Sequence, residues 1–261
     1  MAFDGKTIVL ITGANGGLGY ATAKILLCTS SDYHVIVGSR KGYNGVEAVS
    51  KLQAMPNIKG TVSSVQLDVT DDASIALAAK EVEETFGRVD VLLNNAGICL
   101  LDPDMLPTLR KTLATNVIGA VAVTEGFKGL LRLSSAPRLV FVTSSMGSLT
   151  HAADPESPHF RTKSGLEVSE YRISKAALNM AMVQIGKVYP TEGSGLENLK
   201  TLGVDPGLNR TNLLGPRIMK SDAAKHLPEP NVGASLIASV VKGEHDDKLG
   251  RVVGKSGINV W

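Results

Sequence analysis

Between Thr7 and Cys28 the chain passes from one kind of periodicity to another with almost no linker. Thr7-Ile8-Val9-Leu10-Ile11 is a near-continuous apolar run. A run of that length reads as a strand covered on both faces. It leads straight into Thr12-Gly13-Ala14-Asn15-Gly16-Gly17-Leu18-Gly19, after which Leu18, Ala21, Ile25 and Cys28 recur at helical spacing. Glycines at such a strand-to-helix junction allow a tight turn, let a pyrophosphate approach the backbone, and let the helix pack closely on the sheet. The N-terminus of the helix then offers free N–H groups and the positive end of its dipole to phosphates. The key glycines are 13, 17 and 19, a spacing unlike G-x-G-x-x-G, and no Gly-Lys-Ser/Thr follows, so the turn is not a P-loop.

The alternation continues. Strand-like segments are expected at 34–37, 61–67, 89–93, 138–143, 200–204 and 251–253. Helices are expected at 17–28, 46–55, 73–86, 106–133 (as one or two), 169–188 and 231–241. Asp71-Asp72 supply cap candidates before the helix that ends at Gly87, and Pro190 stops the long helix that begins near Ser169. Strands alternating with helices of this length mean βαβ units with right-handed crossovers. The fold expected is therefore α/β, a single-domain Rossmann-like doubly wound fold with a mostly parallel seven-stranded sheet and helices on both faces. The 261 residues suit one domain spanning 1–261. The least regular stretches, about 148–167 and about 208–230, each follow a strand, where open parallel sheets place their ligand loops.

Composition removes several function classes. Net charge is +2 with both signs interspersed, so nucleic-acid binding is not indicated. There is no run of 18 apolar residues, and no secretory signal core precedes the first strand. Two cysteines, Cys28 and Cys99, make no disulfide framework, and a reducing, cytoplasmic setting is expected. His34, His151, His159, His226 and His245 form no metal pattern, so no metal is expected. His151 and His159 read as surface residues, with the pocket wall as the alternative. Asn209-Arg210-Thr211 matches a glycosylation acceptor and reads as coincidence.

The second strand ends Val37-Gly38-Ser39-Arg40-Lys41. An NAD site calls for an acid there to accept from the ribose hydroxyls. Serine followed by two cations suits the 2′-phosphate of NADP(H), which an arginine fork grips well. Tyr171 and Lys175 stand four apart and share a helix face. A nearby ammonium favours the phenolate and lowers the tyrosine pKa, which makes Tyr171 a usable proton donor to a carbonyl oxygen.

Taken in order along the chain, these motifs resemble the short-chain dehydrogenase/reductase family over nearly its whole length. Thr12 to Gly19 is similar to the family's T-G-x-x-x-G-x-G turn, Asn94-Asn95-Ala96-Gly97 to its N-N-A-G, and Tyr171-x-x-x-Lys175 to its Y-x-x-x-K. The resemblance implies a catalytic set of Asn116, Ser145, Tyr171 and Lys175. Ser145 would hold the substrate oxygen, Asn116 a relay water, and Lys175 the nicotinamide ribose. Ser144 is taken as the structural neighbour. The implied cofactor contacts are Thr12, Gly13, Asn15, Gly17, Leu18 and Gly19 in the turn and Ser39 and Arg40 at the phosphate. They continue with Asp68 and Val69 at the adenine, Asn95, Ala96 and Gly97 beneath, and Pro206, Gly207, Leu208 and Thr211 near the nicotinamide, besides Tyr171 and Lys175 themselves.

Within the family, Tyr171 to Asn179 and Gly257 to Trp261 resemble fungal NADP-dependent carbonyl and ketoreductases. Ser145 and Tyr171 stand 26 residues apart, a wider spacing than in compact members. The extra stretch resembles the insertion of longer monomeric carbonyl reductases, so both a homo-oligomer and a monomer stay open. Phe160, Leu149, Leu213 and Leu214 are candidates for an apolar substrate wall. The expected activity is hydride transfer between NADP(H) and a small carbonyl or alcohol substrate. Two alternatives stay open: a non-redox pathway enzyme catalysing cyclisation or isomerisation on the same scaffold, and a dinucleotide-sensing regulatory protein.

Overall fold

In the computed structural model, which describes residues 3, 5–102, 104–157, 159–160 and 168–261, Ile8 and Leu10 enter one apolar core while Val9 and Ile11 enter another. Successive side chains of a strand point to opposite faces. The unbroken apolar run of β1 (Thr7–Ile11) therefore needs cover on both sides, and it has it. The other strands are β2 (Tyr33–Ser39), β3 (Thr61–Gln66), β4 (Val91–Asn94), β5 (Arg138–Val142), β6 (Lys200–Val204), β7 (Val252–Gly254) and β8 (Gly257–Ile258). Their order across the sheet is β3-β2-β1-β4-β5-β6-β7-β8. The pairings from β3 through β7 are parallel, and β8 runs antiparallel to β7. The expected seven-stranded parallel sheet thus gains an eighth strand, too short at two residues to leave a periodic signal in the sequence.

The helices are α1 (Gly17–Thr29), α2 (Gly42–Gln53), α3 (Asp72–Phe86), α4 (Met105–Leu113), α5 (Ala120–Arg132), α6 (Leu149–Ala153), α7 (Ser169–Val188), α8 (Gly215–Met219), α9 (Asp222–Lys225) and α10 (Pro230–Val241). Leu26 and Leu27 of α1, Leu52 of α2 and Ile237 of α10 pack with Val9 and Ile11 on one face. Ile75 and Val82 of α3, Phe127 of α5, and Leu178 and Met182 of α7 pack with Ile8, Leu10 and Phe141 on the other. Asp71 caps α3 by accepting from the Ala73 N–H, and Gly87, at φ 73°, ends it. The segment expected as one or two helices is α4 and α5 joined by a π-helical turn, Ala114–Gly119. The loop 208–230 folds locally into a 3-10 turn (Asn212–Leu214), α8 and α9. Of the expected insertion, α6 is described, whereas residues 158 and 161–167 lie outside the described residues. Among the described residues, no helix is long and apolar enough to cross a membrane.

The strand order reverses at β1, which has β2 on one side and β4 on the other. Chains leaving two such strands diverge and open a crevice at their carboxyl ends. The turn after β1 and the turn after β4 meet there.

Candidate active site

Hydrogen bonds fasten those two turns together. The Thr12 hydroxyl accepts from the N–H groups of Asn95 and Ala96, both at 2.9 Å. Asn95 Nδ2 donates to the Thr12 carbonyl at 2.7 Å. A Cβ on Gly13, which sits at φ +65°, would come within 3.1 Å of Ala96 Cα. One on Gly19 would lie 2.6 Å from Asn95 Nδ2 and 2.9 Å from Ala14 Cα. Buried Thr12 and Gly19 therefore build the cradle from behind. Gly13, Asn15, Gly17 and Leu18 line a cleft of about 610 Å³ in front of it. Helix α1 opens on Gly16 with no side-chain cap and no acid in its first turn. Its first N–H groups need an outside acceptor, and a dinucleotide pyrophosphate fits that need.

Arg40, Asp68 and Val69 line the same cleft, as do Asn95, Ala96, Gly97, Pro206, Gly207 and Thr211. Ser39 does not. It is fully buried and its hydroxyl donates to the Lys41 carbonyl at 3.0 Å, so it shapes the turn that presents Arg40. Asp68 is fixed by Thr70, whose N–H and hydroxyl both donate to Oδ1, while the cap of α3 is Asp71. Leu208 is exposed and outside the cleft wall.

Helix α7 presents Tyr171 and Lys175 to the cleft. Lys175 is buried, and its Nζ donates to the Val142 carbonyl at 2.8 Å. Burial lowers its pKa to about 8, opposed by the charge of Asp205 and the nearby Cys99 thiol. Burial likewise pushes the Tyr171 phenol up, helped by Cys99 and Asp205, and a hydrogen bond from Ser144 works in the opposite direction. Ser144 is the group that works to lower Tyr171, while the Lys175 Nζ lies 5.5 Å from the tyrosine ring centre and donates to the Val142 carbonyl.

The two serines take different places from those expected. Ser144 lines the cleft together with Tyr171. Ser145 lines a second cavity, of about 320 Å³, and its N–H donates to Asp205 Oδ2 at 2.9 Å. Ser144 is still in extended backbone, where neighbouring side chains point to opposite sides, and Ser145 opens a 3-10 turn. Asn116 sits in the π-helical turn, buried. It donates to the Ile98 carbonyl at 2.9 Å and to Ser174 Oγ at 3.0 Å, and accepts from the Ile98 N–H at 2.8 Å. It joins the β4 turn to α7 and does not line the cleft.

Sequence reasoning passed over Asp205. This buried carboxylate accepts from the N–H groups of Ser145 and Gly207 and from Asn259 Nδ2, each at 2.9 Å, and lines both cavities. Its only local signal is an acid at the end of an apolar strand, just before Pro206-Gly207. Cys99 and Asn212 of the cleft wall were also passed over. His151 and His159, read as surface residues, line the second cavity with their rings 5.0 Å apart. Of the residues expected to wall the substrate, Leu213 lines the cleft and Leu149 is 70% exposed. Asn209 is buried and bonds the Pro206 and Gly207 carbonyls and the Gly233 N–H, in keeping with a coincidental acceptor motif.

The fold and the cleft together define a class, the doubly wound α/β oxidoreductases. Residues 7–156 match the short chain dehydrogenase family, and the chain belongs to it. It is 38% identical to the short-chain dehydrogenase/reductase tropE of Talaromyces stipitatus, over 98% of each chain. It is 33% identical to the short-chain dehydrogenase/reductase eupG of a Phoma species, again over 98% of each. Its fold is similar to that of NADPH-bound carbonyl reductase from chicken fatty liver, with a TM-score of 0.80 at 24% identity over 98% of this chain and 99% of that one.

Proposed function

We propose that this protein catalyses hydride transfer between NADP(H) and a small or secondary-metabolite carbonyl/alcohol pair, with reduction as its working direction. The observation that carries this reading is that Ser144, Tyr171 and Lys175 open into the same cleft as the glycine cradle. The N-terminus of α1 would hold the pyrophosphate, Arg40 the 2′-phosphate, Asp68 and Val69 the adenine, and Lys175 the nicotinamide ribose. When bound there, NADPH would supply a hydride for a carbonyl carbon. Tyr171 Oη donates the proton to the carbonyl oxygen, and Ser144 Oγ holds that oxygen as charge develops on it. Ser144 thus takes the role expected of Ser145. Asn116 acts as a positioning residue, fixing Ile98 beside the cleft and bonding Ser174 next to Lys175. The fungal relatives named as dehydrogenases/reductases, and the structural neighbour solved with NADPH, support the reading.

The test is oxidation of NADPH by the purified protein with a panel of aldehydes and ketones. Turnover should be faster with NADPH than with NADH and should be lost in Tyr171→Phe; wild-type turnover in that variant would sink the assignment. Arg40→Ala should raise KM for NADPH about tenfold, as befits loss of a charge-assisted contact, and leave KM for NADH within about twofold.

A further inference from the structure

The second cavity lies beside the cleft of the glycine cradle and shares two walls with it, Asp205 and Gly207. At about 320 Å³ it is within the range of small-ligand sites. Its lining is mixed: Ser145, His151, His159 and Lys255 stand with Asp205 beside the apolar Ile258 and Val260. The acceptors of Asp205 are already taken: Oδ1 by Gly207, Oδ2 by Ser145 and Asn259. Lys255 differs, because its ammonium enters no ion pair or hydrogen bond among the described residues. Its side chain lies across Gly207, with Cε 3.5 Å and Nζ 3.6 Å from where a Cβ on that glycine would be. Gly207 sits at φ +70°, a conformation glycine adopts without strain, and its bare face lets the lysine approach the boundary between the two cavities.

We propose that the second cavity receives the far end of the substrate and that Lys255 selects carbonyl compounds carrying a carboxylate there. This rests on the oxidoreductase reading above and names the substrate class for it. With the reacting carbonyl at Ser144 and Tyr171, the rest of the molecule extends past Gly207 and sets its anionic oxygens against the Lys255 ammonium. The Ser145 hydroxyl offers a further hydrogen bond to an oxygen-rich molecule. The second serine then has a task of its own, contacting the tail of the substrate while Ser144 contacts the reacting end.

The experiment compares 4-formylbenzoate with its methyl ester as substrates for NADPH oxidation. Wild type should favour the acid. The acid-to-ester ratio of kcat/KM should fall about fivefold in Lys255→Met, the scale of a partly exposed ion pair, and be retained in Lys255→Arg. An unchanged ratio in Lys255→Met overturns the proposal. If wild type turns over neither aldehyde, the oxidoreductase reading fails for these substrates, and binding decides the cavity on its own. The single tryptophan, Trp261, follows Val260 of the cavity wall and reports occupancy by its fluorescence. Saturable quenching by 4-formylbenzoate that weakens in Lys255→Met upholds the site; absent or equal quenching overturns it.

Discussion

Lys175 and the serine pair concentrate the chemistry at the residue scale. Burial brings Lys175 to about 8, so its ammonium persists below that pH and is lost above it. If Lys175 binds the cofactor as a cation, kcat/KM for NADPH should be flat at lower pH and fall as pH rises through about 8, since this parameter reports groups of the free enzyme. Asp205 raises the proton affinity of Lys175, so Asp205→Asn should move the fall to lower pH. A profile that stays put in the variant would reject the coupling. For the serines we expect asymmetry. Ser144→Ala should cut kcat about 100-fold or more, as for loss of an oxyanion-type donor, whereas Ser145→Ala should stay within about tenfold. Steady-state kinetics with one aldehyde separates them, and equal losses would restore Ser145 to the reacting end.

At the scale of elements, the seam between β2, β3 and α3 carries a pH-dependent part of stability. His34 on β2 bonds Thr61 Oγ1 at 2.8 Å and Ser63 Oγ at 2.9 Å across to β3. Its ring lies between Phe3 and Phe86, at centroid distances of 4.7 Å and 4.6 Å. Burial, with a smaller contribution from Lys6, lowers its pKa from 6.5 to about 4. As pH falls, the unfolded chain takes up this proton first, so stability declines from about 6.5 to about 4 and then levels. The slope from one such group is at most about 1.4 kcal/mol per pH unit. Denaturant unfolding at several pH values should show that slope flattened in His34→Gln. The glycine cradle is likewise a contact between elements. Gly19→Ala would press a methyl group into Asn95 and Ala14, and we expect a loss of about 1–3 kcal/mol together with weaker NADPH binding.

At the scale of the whole molecule, the cleft joins the turns of β1 and β4, helix α7, and the loop after β6. A ligand bound there stabilises the native state against unfolding. NADPH at about 100 times its Kd should add about 2.7 kcal/mol, which for a chain of this size raises Tm by about 5–10 °C. A thermal melt with and without NADPH checks it; no shift would mean that the cradle does not hold the dinucleotide.

The fold was legible because its signals are local. The apolar run of β1, the glycines at 13, 17 and 19, the cap at Asp71 and the stop at Gly87 each act within a few residues, and each appears where it was expected. The line of Gly13, Arg40, Asp68, Tyr171 and Lys175 along one cleft follows from where a doubly wound sheet brings its loops. Other features depended on contacts between distant parts of the chain. A helix pattern reads the same through α4 and α5 whether or not a π turn at Asn116 interrupts it. Adjacent serines look interchangeable until the end of β5 places one in the wall of the cleft and the other in the wall of the second cavity. Asp205 gains its partners only when Asn259, 54 residues further on, folds back against it. By itself the sequence determined the layers and the glycine turn, because periodicity and turn geometry are short-range. Only the tertiary structure decided which serine lines the cleft with Tyr171 and which side chains form the second cavity, because those depend on how segments far apart in the chain pack together.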